Sequence, residues 1–312
     1  MKKVWCVLGV FVFVLHFISA CKKNNENPGT QNDLHLVAVI SKSPTDSFRY
    51  DYIYEKGRIT RVTTKRNDDP ATTFFDVSYL GNRIVISKPI INLPDQRGTD
   101  TIYLFRDANG RVMKRVWHMF QEILPPLAQD RSWYMDTIIY NYNADGLLSI
   151  GLHTSLYTGW SDNGTPLFTT VRRTGVITNT VASGNLVQSV EVNQTHQVDS
   201  SGTTTFIQDR IIETTKTFDY AQSYLNKTDF TNAAVQNESN WFSELGIDKN
   251  YKYLPNKVST LLKIEDQNGT VLSTFPSAVN YQFTYNADGM VLTRIDSNAP
   301  NRVITYVYAS RP

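Results

Sequence analysis

The pentapeptide Tyr-Asn-Ala-Asp-Gly occurs twice, at Tyr142–Gly146 and Tyr285–Gly289, and it restricts the fold more than any other feature of the chain. An Asn or Asp at the first position caps a turn, two residues take right-handed turn dihedrals, and Gly takes the left-handed conformation that most side chains avoid. This is the grammar of a β-hairpin built on a type I turn with a glycine bulge. It recurs at Asp107-Ala108-Asn109-Gly110 and Asp266-Gln267-Asn268-Gly269, and more loosely at Glu55-Lys56-Gly57, Leu80-Gly81-Asn82 and Asp162-Asn163-Gly164. Aromatic residues alternate ahead of the turns, as in Tyr50, Tyr52, Tyr54, then Tyr140, Tyr142, then Tyr281, Phe283, Tyr285. Period two places them on one face of a sheet.

An Asp-x-Asn-Gly stretch is also half of a calcium loop. Such a loop needs further oxygen ligands and a bidentate Glu at its twelfth position. Counted from Asp107, that position is His118. The repeat is a turn, and the expected fold is all-β: an antiparallel meander of twisted hairpins around an aromatic core. Ser239-Asn240-Trp241-Phe242-Ser243-Glu244-Leu245-Gly246 breaks the β pattern, with Ser239 as a cap and Gly246 as a stop. A short helical insert near 239–246 is expected there.

The first residues are an address. Lys2 and Lys3 precede an apolar run from Val4 to Phe17, closed by Ile18-Ser19-Ala20-Cys21. A short apolar stretch ending in small residues marks a signal peptide, here 1–20. With Cys6 removed, Cys21 is the only mature cysteine, so no disulfide supports the fold. The polar stretch 21–33, "CKKNNENPGTQND", cannot offset its ordering entropy and reads as a tether. A single hairpin-repeat domain is expected over 34–312, starting at Leu34-His35-Leu36-Val37. Processing removes two lysines from 31 basic residues and leaves 29 against 29 acidic ones. A balanced surface has no electrostatic footprint for nucleic acid.

"FRYDYIYEKGRITRV", "DTIYLFRDANGRVMKRV" and "YQFTYNADGMVLTRI" resemble the tyrosine–aspartate (YD) repeats of wall-associated and Rhs-type proteins. Ile18-Ser19-Ala20-Cys21 resembles the bacterial lipobox, and the combination is similar to uncharacterised Bacteroidetes envelope lipoproteins. The resemblance implies a Cys21-lipidated protein of the outer membrane, on its periplasmic or its outer face. It carries over no catalytic residue.

Chemistry-bearing motifs are few. His35, His118, His153 and His196 are scattered without ligand spacing, so no metal or other cofactor is expected. No G-x-S-x-G or Ser-x-x-Lys appears, and carboxylate pairs such as Asp130 with Asp136 or Glu122 decide nothing among 29 acids. The aromatics point further. Trp117, Trp133, Tyr157 and Trp160 lie in or beside two apparent insertions between hairpins, Trp117–Met135 and His153–Phe168. Aromatic faces bind sugar rings and peptide side chains, and Trp160, in the polar stretch "YTGWSDNGTP", is the first candidate contact. The sequence therefore suggests a non-catalytic accessory module for a glycan or peptide. An assembly partner for an envelope protein is the alternative, and a hydrolase the least favoured reading.

Overall fold

The computed structural model describes residues 34–56, 58–89, 96–108, 110–123, 131–144, 146–160, 166–198, 204–205, 211–220, 254–266, 268–287 and 289–310. Within them the chain is all strand and turn. The first strands are short: β1 (Leu34–Lys42), β2 (Ser47–Glu55), β3 (Arg58–Arg66), β4 (Thr72–Leu80) and β5 (Arg83–Pro89). Longer ones follow: β6 (Gln96–Arg106), β7 (Val112–Ile123), β8 (Arg131–Tyr142), β9 (Leu148–Trp160), β10 (Pro166–Ala182) and β11 (Asn185–Val198). The last group is β12 (Thr204–Thr205), β13 (Ile211–Asp219), β14 (Lys257–Glu265), β15 (Val271–Tyr285), β16 (Val291–Asp296) and β17 (Val303–Ser310).

Each strand pairs antiparallel with its sequence neighbour, except that the two-residue β12 pairs only with the end of β11, and β11 pairs on to β13. The last strand then returns to the first, with Val39 opposite Tyr306 and Ser41 opposite Ile304. Sixteen described strands thus form a closed ring, which abolishes the exposed edges an open sheet would carry. This corrects the expected meander, because the hairpins do not end in two free edges. The β1–β17 pairing joins residues more than two hundred and fifty positions apart, and no local pattern announces it. Residues 239–246 lie outside the described residues, and no helix is found among the described ones.

The four Asn/Asp-x-x-Gly turns have one geometry. Gly110, Gly146, Gly269 and Gly289 have φ of 82°, 78°, 79° and 79°, where a side chain would be strained. The amide of Gly146 donates to the carbonyl of Asn143 (3.0 Å), and the Asn143 side chain accepts from the Leu147 amide (2.9 Å). Asp107, Asp266 and Asn286 receive the amides of Arg111, Thr270 and Met290 in the same way. A bulge at the last strand residues accompanies the turns, for example between Asn141 and Tyr142.

The tyrosine of the repeat has its own task. Tyr142 ends β8, and its hydroxyl donates to the carbonyl of Val112 at the start of the neighbouring β7. Tyr54 reaches Leu36 (2.8 Å), Tyr220 reaches Leu186 (2.7 Å) and Tyr308 reaches Val291 (2.9 Å) by the same rule. Each tyrosine ties the end of one strand to the beginning of the strand before it. At Tyr142–Gly146 the five-residue repeat is a turn plus a clamp.

With one wall and no second layer, side chains shield one another only on the lumen side. Tyr52, Val62, Phe75, Ile84, Leu104, Val112, Tyr140, Leu186, Phe218, Tyr281 and Tyr306 are all 8% exposed or less. Most lie toward the end of the barrel that carries the short turns. Water does not reach them, so that end of the lumen is filled by an apolar and aromatic plug. Arg294 is the exception inside it, 1% exposed, paired with Asp296 (Nε–Oδ1 2.8 Å) and facing the Tyr281 ring at 5.6 Å.

Candidate functional site

The described parts of the two apparent insertions are wall. β7 to β10 run for 12, 12, 13 and 17 residues, because alternation of aromatic, branched and polar residues continues through 117–123 and 131–135 and through 153–160 and 166–168; residues 124–130 and 161–165 lie outside the described residues. Register then assigns the inner face. Leu104, Arg115, Ile138, His153, Gly175 and Asn193 stand opposite one another on successive strands β6 to β11. The next inner row is Ile102, Trp117, Asp136, Ser155, Arg173 and Thr195.

These rows hold a charge chain. The Asp136 carboxylate is 1% exposed and receives both the Arg115 guanidinium from β7 and His153 Nε2 from β9. His153 Nδ1 lies 4.0 Å from Glu191 Oε1 on β11, and Glu191 accepts a 2.8 Å hydrogen bond from the Asn193 side chain. The chain skips β10 because Gly175 has no side chain there: a Cβ would stand 2.2 Å from Asn193 Oδ1. Arg173 faces the same space beside Ser155. Buried ions need partners and hydrogen bonds, and Asp136 has them from both sides. Arg115 Nε, His153 Nδ1, Asn179 Oδ1 and Asn193 Oδ1 are shielded side-chain atoms with no hydrogen-bond partner.

The aromatic candidates divide between the faces. Trp117 is on the inner face, its Nε1 donating to Asp100, with its ring 5.2 Å from Tyr134 edge-on. Tyr157 is also inner and 37% exposed, 6.4 Å from Tyr134. Trp133 is on the outer face, its Nε1 directed at His118 Nε2. Trp160 is the last residue of β9, its backbone paired with Arg131 and Pro166 rather than looped out; its side chain, like Cys21, lies outside the described residues. The sequence singled out neither Arg115 nor Glu191, and left Asp136 and His153 without a role. The signal was there: Tyr134, Tyr140 and Tyr157 set the strand parity, and Asp136, His153 and Ser155 fall on it.

No protein-family model matches the chain, and no curated protein matches it. Two similar solved structures are porin-like proteins of Bacteroides. One, from Bacteroides vulgatus ATCC 8482, is 14% identical over 89% of this chain and 98% of that one, with a TM-score of 0.49. The other, from Bacteroides uniformis ATCC 8492, is 13% identical over 88% and 96%, with a TM-score of 0.45. The accessory-module reading for a glycan or peptide is overturned by the ring itself: the wall is closed, and the described candidates Trp117, Tyr157 and Trp133 divide between its two faces.

Proposed function

We propose that this chain is a porin-type barrel of the outer membrane, non-catalytic, whose lumen takes small polar solutes from the end opposite the plug down to the charge chain of β7–β11. One observation carries the reading. A sixteen-strand wall closes without an edge and turns Arg115, Asp136, His153, Arg173 and Glu191 to the inside. Rings of this size are wide enough to leave an aqueous lumen, and a polar interior is what spanning barrels of an even strand number present. Closed sheets are, with helices, the only walls whose backbone is satisfied in lipid. Most connections also differ between the two ends, being two residues at Gly81–Asn82 and Ser183–Gly184 and five at 67–71 on the opposite rim, although the longest, 220–256, lies on the short-turn rim. Short turns on one side and longer loops on the other are the habit of outer-membrane barrels. Trp117 and Tyr157 then line the passage, and acylation at Cys21 adds a lipid tether at the short-turn end, where β1 begins.

The apolar plug at that end makes the resting barrel closed or nearly so. Planar-bilayer recording of the mature protein tests this. Small, brief conductance steps are expected from the native chain, and steps several-fold larger from Tyr140→Ala, which removes a ring from the plug. Arg115→Gln shifts the ion preference toward cations. A folded, inserted barrel that conducts in neither form overturns the proposal.

A further inference from the structure

The outer surface is not the same all round. On β8 to β11, Ile139, Leu152, Val176 and Val192 stand opposite one another in register, and the first three are 43%, 44% and 44% exposed. Ile150 and Val190 continue the patch on one side of this row, Met135 and Leu156 on the other, with threonines between. Lys114 stands opposite Ile139, and Arg172 stands opposite Leu156. On β2 to β5 the outer face carries Arg49–Asp51 (2.6 Å) and Arg61–Asp76 (2.6 Å), with Lys65 and Arg83 beside them.

We infer that the outer face of β8–β11 is the wall that meets lipid acyl chains, and that the outer face of β2–β5 is kept out of them. This rests in part on the porin-type reading, but it adds that lipid contact is one-sided. Two observations favour lipid as the occupant, strand length and the facing of charge. Strands β8–β11, at 12 to 17 residues, exceed the roughly 9–11 that a tilted spanning strand needs. Strands β2–β5, at 7 to 9, fall at or below it. The β8–β11 strands turn Asp136, His153, Arg173 and Glu191 inward and Arg172 outward, so their outer apolarity is largely a choice of face and not of composition. Lys114 and Arg172 border the apolar rows, and Glu213, paired with Lys263, stands opposite Val192 at their other edge.

The test uses the native mature protein in phosphatidylethanolamine–phosphatidylglycerol vesicles doped with an acyl-chain diazirine phosphatidylcholine. After photolysis, peptides are mapped by mass spectrometry. Peptides covering 135–156 and 172–192 are expected to carry at least ten times the lipid adduct of those covering 47–87. The pair Leu152→Asp and Val176→Asp should lower that adduct severalfold, whereas Ser78→Asp and Ser87→Asp should leave it unchanged. Equal labelling of both panels overturns one-sided contact while leaving conduction, read on the same vesicles, to stand or fall by itself. Absence of adduct from both panels, with copies of the chain cross-linking through β8–β11, overturns lipid in favour of a second copy.

Discussion

Panels β2–β5 and β8–β11 are each four antiparallel strands whose faces alternate between bulges, and they face opposite ways. In the first, Tyr52, Val62, Phe75, Val77, Ile84 and Ile86 point inward and are 6% exposed or less, while ion pairs occupy the outside. In the second, Asp136, His153, Arg173 and Glu191 point inward, and aliphatic rows occupy the outside. A two-residue period says only that the faces differ. Which face is inside follows from closure of the ring, and the first panel solves the problem as a water-soluble sheet does, the second as a membrane wall does.

The sharpest way to break that comparison is to put one charge on each panel. Ile84→Asp buries an unpaired carboxylate beneath the first panel, and a loss of about 3–5 kcal/mol is expected. That is enough to stop refolding, read as loss of the heat-resistant compact band on gels. Leu152→Asp places the same charge on the outside of the second panel and should refold normally in detergent. Equal damage from both would show that β8–β11 does not have its apolar face outward.

A smaller effect is expected where the charge chain crosses β10. Gly175→Ala sets a Cβ against Asn193 Oδ1 and, at 3.1 Å, against the Val192 carbonyl, and overpacking of this kind costs about 1–3 kcal/mol. Adding Asn193→Gly removes the side-chain clash and should recover most of the loss in urea unfolding of the detergent-solubilised barrel. Failure of the second substitution to rescue would place the strain in the Val192 backbone.

The turns and the strand parity were legible because both are local. Asn143 and Gly146 sit three apart in sequence and bond to each other, and Tyr140 and Tyr142 show their common face by spacing alone. The type of turn at Ser183–Gly184 carries the same kind of signal in its Ser-Gly pair, with φ of 52° and 80°. Closure was not legible. Val39 and Tyr306 say nothing about each other until every hairpin between them is counted. The charge chain was half legible: parity places Asp136 with Tyr140, but its partners come from β7 and β9, and Glu191 joins only because Gly175 leaves room. Length misled as well. Wall strands of 12 to 17 residues exceed the usual strand of about five or six, so their continuation looked like loops holding Trp133 and Trp160.

The clamp tyrosines give a finer test, because the same device serves both panels. Tyr142→Phe and Tyr54→Phe each remove one hydroxyl bonded to a neighbouring carbonyl, at Val112 and Leu36. A cost of about 1 kcal/mol is expected at each site, measured as a shift in the urea midpoint. Similar values would show that the clamp works alike in the two panels, since both clamps sit at the plugged end of the barrel. A much larger value at one would tie its effect to the packing around that tyrosine.

The smallest expected effect lies in the 266–270 turn, where the Asp266 carboxylate accepts the Thr270 amide and then that of Asn268, both at 2.8 Å. These bonds, the Thr270 amide first, hold its carboxyl below the ordinary carboxylate value. A carboxyl whose pKa is lower folded than unfolded stabilises the fold above its unfolded value, near 4, and the contribution fades as pH falls through the folded value. Asp266→Asn keeps the acceptor oxygen and removes the titration. Native and variant barrels should therefore differ in the pH dependence of their unfolding midpoint only below about pH 4. The same substitution logic at Asn143→Asp, in the turn that closes β8 onto β9, should introduce such a dependence where none exists, which makes the two turns interchangeable in chemistry although they lie at opposite rims of the barrel.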